Sequence, residues 1–222
     1  MTDHPSRRDA LTYIGAVAGL STIGCGGASS GSPDAGGPDA LEPGPCGPRT
    51  GSQTEGPFYP GEPDALMDIR GDRQGVELQL EITVIAAGAC TPIAGAEVDF
   101  WSADGAGDYS GYATFDTEGQ DWLRGQQITD QDGIARVRSI VPGSYPGRAV
   151  HIHVKVRAPG RNELTTQVYF PDDVTAAVLA QPEYDGASQT VNAADGFYAD
   201  DTLMAVTGDV DAGYTATATL VV

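Results

Sequence analysis

Basic residues are scarce in this chain: 12 Lys and Arg stand against 31 Asp and Glu, for a net charge of -19. A nucleic-acid partner needs a clustered basic footprint, so that class is excluded. The acidic surplus also repels anionic lipid headgroups and slows the approach of anionic substrates. Long hydrophobic runs are missing as well. The apolar stretch around "LTYIGAVAGL" holds roughly a dozen residues, short of the about 20 that a membrane-spanning helix requires. No internal repeat is visible, which sets solenoids and arrays aside. Histidine and cysteine are rare, with three of each. So few residues with ligating or redox chemistry make their positions informative.

The first 25 residues absorb one of each. "MTDHPSRRDALTYIGAVAGLSTIGCGG" runs from a polar, arginine-bearing start that includes His4, through the short apolar stretch, to small residues. That is the layout of an export signal. "SRRDAL" resembles a twin-arginine signal. "STIGCGG" resembles a lipoprotein cleavage site, with Cys25 as the candidate lipidation residue, although Thr22 stands where a leucine is usual. The alternative is a plain cleavable signal with an incidental cysteine. Either way the expectation is an exported protein, periplasmic or in the cell envelope, with a candidate lipid anchor to the membrane. Residues 26–48 are rich in Gly, Pro, Ser and Asp and read as a flexible linker. Residues 49–222 then form one domain. Cys46 and Cys90 remain, an even number in an oxidising compartment, so a disulfide is expected, with two buried thiols as the alternative. Closing a loop of about 45 residues would contribute a few kcal/mol.

Within the domain, period-two alternation dominates. In "VELQLEITV", Val76, Leu78, Leu80, Ile82 and Val84 share one face and Glu77, Gln79, Glu81 and Thr83 the other. "AEVDFW", "IARVRSIV", "AVHIHVKV", "LTTQVYF" and "YTATATLVV" complete a set of short strands. The one helix candidate is "DDVTAAVLAQ", capped by Asp172 or Asp173. The fold class expected is all-β, a β-sandwich with long loops and one short helix.

The two histidines left after the signal stand one residue apart in "VHIHVKV". On a strand, His151 and His153 lie side by side on the face opposite Val150, Ile152, Val154 and Val156. Alone, such a pair is more often an ordinary polar face than a metal site. Its neighbours change that reading. Tyr145 lies in "PGSYPGR", Arg148 three residues before His151, and Tyr109 in the Gly-rich "WSADGAGDYSGY" that follows a strand. The run "GPFY…CTPIAGAEVDFWSADGAGDYSGY…WLRGQQITDQDGIARVRSIVPGSYPGRAVHIHVKV…LTTQVYF" resembles the core domain of the intradiol ring-cleavage dioxygenases, over residues 47–170.

The resemblance implies a mononuclear, non-haem Fe(III) held by Tyr109, Tyr145, His151 and His153. Phenolate oxygens are hard anionic donors suited to Fe(III), and the ion must overcome a tyrosine pKa of about 10 to bind them. It further implies a small aromatic diol and O2 as reactants. Tyr145 would be displaced as the diol binds and accept one of its protons. Arg148 would stabilise negative charge on the ring, and Gln167 would lie near the pocket. The product would be a muconate-type diacid, cut between the hydroxylated carbons. Gln167 has a competing reading as an outward polar residue on an alternating strand; Tyr112 and Trp101 read as packing residues. The alternative function is a non-catalytic extracytoplasmic β-sandwich module that binds a metal or ligand. The helical dimerisation region of cytoplasmic relatives is not seen, so oligomeric state stays open, as does the identity of the catechol.

Overall fold

The structure, a computed structural model, describes residues 46–59, 61, 63–184 and 189–222. The expected export signal, Cys25 and nearly all of the expected linker lie outside the described residues. Among the described residues, eight strands build two four-stranded sheets, with one short α-helix and three single-turn 3-10 helices in the connections. The all-β sandwich expected from alternation is the fold observed.

The first sheet has the order β4-β1-β8-β7. β1 (Glu77–Ile85) carries the alternation described above, with Leu78, Leu80, Ile82 and Val84 buried and their polar neighbours half-buried or exposed. It pairs antiparallel with β4 (Ile134–Ile140) and parallel with β8 (Gly213–Val221), which also carries β7 (Ala205–Asp209) on its other edge. The second sheet has the order β3-β2-β5-β6, from β2 (Glu97–Trp101), β3 (Arg124–Ile128), β5 (His151–Arg157) and β6 (Leu164–Tyr169), paired antiparallel throughout. Between the sheets lies one apolar core, to which β5 contributes Ile152, Val154 and Val156 and β2 contributes Val98 and Phe100.

Strict alternation ordinarily leaves the outer face of a sheet to water; along β5 of the second sheet it does not. Every residue of β5 but the last is buried. Its outer face is covered by residues 50–59, which run across it as a strap. Thr50 N–H donates to the Val221 carbonyl (3.0 Å), Gln53 N–H to the Thr165 carbonyl (2.8 Å), and Gln167 Nε2 to the Thr54 carbonyl (3.1 Å). Glu55 pairs with Lys155 at 2.8 Å and Tyr59 Oη donates to Asp99 at 2.8 Å. Cys46 and Cys90 form a disulfide, with Cα atoms 5.4 Å apart, at the start of this segment.

Two strands were invisible to alternation. β3 reads RGQQI and β7 reads AVTGD, and neither offers an apolar face. The helix α1 (Asp172–Leu179) forms where expected, but its cap does not: Pro171 is the N-cap and no side chain caps the helix. Asp172 and Asp173 occupy the first turn instead, where a carboxylate still complements the helix dipole. Asp172 Oδ1 is taken by the backbone N–H of Asn192 at 2.9 Å, which is why it does not fold back onto its own helix.

Candidate metal and active site

The outer face of the second sheet is polar along its length, and its site end is set by register. His153 lies opposite Trp101 on β2 and Gln167 on β6, while His151 lies opposite Tyr169. Period two therefore brings two imidazoles, an amide and a phenol onto one patch. Two loops complete it. Tyr109 arrives on the loop after β2, fully buried, and Tyr145 on the loop between β4 and β5, half-buried. These loops touch backbone to backbone: Gly143 N–H donates to the Asp104 carbonyl at 2.8 Å, and a Cβ on Gly143 would stand 2.1 Å from the Gly105 carbonyl oxygen. Only glycine permits that approach.

The result is a chain of four donor atoms. Tyr109 Oη and Tyr145 Oη are 3.4 Å apart, Tyr145 Oη and His151 Nε2 are 3.0 Å apart, and His151 Nε2 and His153 Nε2 are 3.2 Å apart. Atoms that each sit about 2 Å from one metal ion are separated by roughly 3 Å, so the spacing fits a shared centre. The protonation pattern fits too. His151 Nδ1 lies 2.7 Å from the Ala149 carbonyl, which can only accept, so Nδ1 carries the proton and Nε2 presents its lone pair to the cluster. Burial, with Arg148 nearby, holds His151 at about 4. Burial beside His151 takes His153 well below its ordinary value. Both rings are thus neutral at physiological pH, as metal ligands must be. His153 has no hydrogen bond at Nδ1 among the described residues; its ring is held by stacking on Trp101, centroids 4.8 Å apart and planes 10° apart. Desolvation raises both Tyr109 and Tyr145 above the usual phenol value, so a cation is needed to ionise them. Among the described residues no group of three His, Cys, Asp or Glu could hold a metal, and the tyrosines are what complete this set.

Arg148 reaches over the cluster. Nη1 donates to Tyr145 Oη at 3.4 Å; Nη2 donates to Gln167 Oε1 and, at 3.2 Å, to Tyr169 Oη. Gln167 does face outward on its alternating strand, but it is fully buried there beneath the strap and bonded to Arg148. Trp101 and Tyr112 do pack: Trp101 under His153, and Tyr112 with its hydroxyl donated to the Tyr59 carbonyl at 3.0 Å. A separate cavity of about 370 Å³ behind Tyr112 is lined by Tyr59, Leu66, Gln120 and Arg124 and reaches none of the four donors.

Three neighbours escaped the sequence reading. Phe58 stacks on Tyr109 at 4.6 Å and closes the site from the strap. Tyr169 is two residues from Gln167 on the same strand face, a signal that period two carried. Asp195 pairs with Arg148 at 3.0 Å from a segment with no periodic pattern and 47 residues away, and nothing in the sequence pointed to it.

Residues 55–193 match the family model described as Dioxygenase. Among curated proteins, the chain is 34% identical over 152 residues to a catechol 1,2-dioxygenase of Acinetobacter baylyi, covering 57% of this chain and 47% of that protein. It is 29% identical over 150 residues to a chlorocatechol 1,2-dioxygenase of Rhodococcus opacus, covering 56% and 57%. The chain thus spans about half the length of these relatives. Among solved structures, the dioxygenase domain of a dioxygenase–carbohydrate-binding fusion from Streptomyces sp. SirexAA-E superposes with a TM-score of 0.62 at 34% identity, covering 79% of this chain and 98% of that one. An intradiol ring-cleavage dioxygenase from Tetranychus urticae gives a TM-score of 0.71 at 24% identity, covering 77% and 92%, a likeness of fold. With the family match extending over more than half of its residues, this chain belongs to the intradiol ring-cleavage dioxygenases.

Proposed function

We propose that this protein is a non-haem Fe(III) dioxygenase that cleaves a catechol-type diol between its hydroxylated carbons, placing both atoms of O2 in a muconate-type diacid. The observation that carries the reading is the convergence of two phenols and two neutral imidazoles, spaced 3.0–3.4 Å along the chain of donors, beneath a half-buried guanidinium. Tyr109, Tyr145, His151 and His153 would hold the ion. A ferric ion held by these residues would supply a Lewis-acid centre favouring the ionised form of both phenols and polarising a bound diol.

The chain's own residues supply the rest. Tyr109 is fully buried, wedged between Phe58 and the loop backbone, and is the fixed phenol. Tyr145 is half-buried on a loop and is the phenol free to swing away and take a diol proton at its Oη. Arg148, donating toward Tyr145, would stabilise that phenolate's leaving position and the negative charge that builds on the ring. Gln167 and Tyr169 hold the guanidinium in place. Phe58, Trp101 and the strap exclude water, which strengthens each of these interactions. The Cys46–Cys90 disulfide fits residence in an oxidising compartment, in keeping with the export signal read from the first residues.

Metal content and the visible spectrum of the purified protein test the reading. Tyrosinate-to-Fe(III) charge transfer should colour it red-brown, and catechol should shift the band and drive O2 uptake. A protein that stays colourless and inactive after iron reconstitution sinks the proposal; colour without O2 uptake leaves a metal-binding module instead. Tyr109→Phe should remove much of the band, and an unchanged spectrum would mean that another residue supplies the phenolate.

A further inference from the structure

Asp195 belongs to no strand or helix. It follows the single 3-10 turn Asn192–Ala194 and is almost fully buried. Its Oδ2 accepts from Arg148 Nε at 3.0 Å and from the Ala149 backbone N–H at 2.9 Å, and its Oδ1 accepts from the Phe197 backbone N–H at 2.9 Å. The same Ala149 offers its carbonyl to His151 Nδ1 at 2.7 Å. One carboxylate therefore grips both arms of the site: the guanidinium directly, and the imidazole through a single intervening residue.

The grip also settles charge. Each nitrogen of Arg148 is engaged inside the protein, Nε by Asp195, Nη1 by Tyr145, and Nη2 by Gln167 and Tyr169. The Phe197 ring covers the guanidinium, 4.8 Å from its centroid. Among the described residues no second cation hydrogen-bonds to Tyr109, Tyr145, His151 or His153. Lys155 and Arg157, further along the same sheet face, are paired with Glu55, Glu163 and Asp99. A substrate carboxylate would find Arg148, the cation hydrogen-bonded to the donor cluster, already paired with Asp195, in a protein of net charge -19.

The geometry points to Asp195 as a positioning and specificity-determining residue: it fixes Arg148 and, through Ala149, the His151 ring, and by neutralising the guanidinium it makes the site one for diols without a carboxylate. This rests on the dioxygenase reading above. Asp195 touches neither substrate nor donor atoms and acts through Arg148 and Ala149. Residues that orient metal ligands from behind typically change metal affinity or activity by about 10- to 100-fold when replaced. At the effective dielectric of a protein site, removing one unit of negative charge changes the relative binding of a carboxylate by roughly tenfold where the two are about 12 Å apart, and by more where they are closer.

Asp195→Asn and Asp195→Glu in the full chain separate the two roles. Zn(II) affinity of the iron-free protein, by competition titration, reads the hold on His151. The ratio of kcat/KM for 3,4-dihydroxybenzoate to that for catechol, in the iron-loaded protein, reads the charge. Asp195→Asn should weaken Zn(II) binding by about tenfold or more and raise the ratio by about tenfold. Asp195→Glu, which keeps the charge but displaces it, should weaken Zn(II) binding and leave the ratio at the wild-type value. Wild-type Zn(II) affinity in both variants, or a wild-type ratio in Asp195→Asn, overturns the inference. A wild-type protein that turns over no diol overturns the dioxygenase reading alone, since the Zn(II) measurement still reads what Asp195 does.

Discussion

The two sheets share a core and differ in their outer faces. On the first sheet, β1 alternates buried apolar residues with polar ones that are half-buried or exposed, and the charges of its edge face water. On the second, β5 and β6 are buried on both faces, and the outer one holds His151, His153, Lys155, Gln167 and Tyr169. A polar residue on the first sheet's outer face costs nothing because water satisfies it. On the second, most find partners under the strap, in two sets: Asp195, Arg148, Gln167 and Tyr145 around the imidazoles, and Asp99, Tyr59 and Arg157 further along the same face. Burial of a polar face is expensive unless every group is satisfied. The sheet that bears that cost is the one that carries the candidate site.

The contrast implies that the same size of insult reads differently on the two sheets. Ile82 is fully buried on β1, facing the core and remote in the sheet order from the histidines. Ile82→Ala should lower stability by about 2–5 kcal/mol through lost burial and the cavity left behind. Urea unfolding measures this. Iron bound per folded molecule should stay at the wild-type value; a loss of iron in the folded fraction would mean that the two sheets are not separable in this way.

Asp99 is the matching position on the second sheet, fully buried on β2. Its carboxylate accepts from Arg157 at 2.6 and 3.2 Å, from Tyr59 at 2.8 Å and from Gln126 at 2.9 Å. Burial and the Asp99 hydrogen bond both raise the Tyr59 phenol above its ordinary value, which keeps Tyr59 a donor. Asp99→Asn should cost about 1.5–3 kcal/mol, somewhat less than the core cavity, because Arg157 is part-exposed and water compensates it. Unlike Ile82→Ala, it should also free the strap and speed proteolytic cleavage at residues 50–59. Equal cleavage rates in the two variants would show that Asp99 does not anchor the strap.

All of the first sheet but its edge strand β7 was legible in the sequence, because water on one side makes alternation strict. β1 could be assigned residue by residue. For the second sheet, the apolar half of "VHIHVKV" gave the strand, and the motif around it gave Tyr109, Tyr145, Arg148 and Gln167. What stayed hidden was the burial of the polar half. Lys155, Asp99 and Arg157 look like a solvated face in sequence, and the strap that covers them, "TGSQTEGPFY", has too few apolar residues to announce that it packs. Asp195 was hidden for a different reason. Its role comes from a long-range approach by an aperiodic loop, and neither periodicity nor spacing encodes such an approach.

The smallest effect lies at the wet edge of the first sheet. Asp68 sits beside β4, where the Ile69 N–H donates to the Arg138 carbonyl at 2.9 Å. Hydrogen bonds from Arg70 Nε (2.9 Å) and Nη2 (2.8 Å) hold the Asp68 carboxyl down at about 2. A depressed carboxyl contributes stability above its unfolded value near 4 and loses it as pH falls from about 4 through about 2. Arg70 and Asp68 are both substantially exposed, so solvent screens the pair and the contribution should stay below about 1 kcal/mol. Asp68→Asn should therefore be slightly less stable than wild type at pH 6, and the gap in urea midpoint should close as the pH approaches about 2. A gap larger than that of Asp99→Asn would reverse the ranking of exposed and buried charge on which the contrast between the sheets depends.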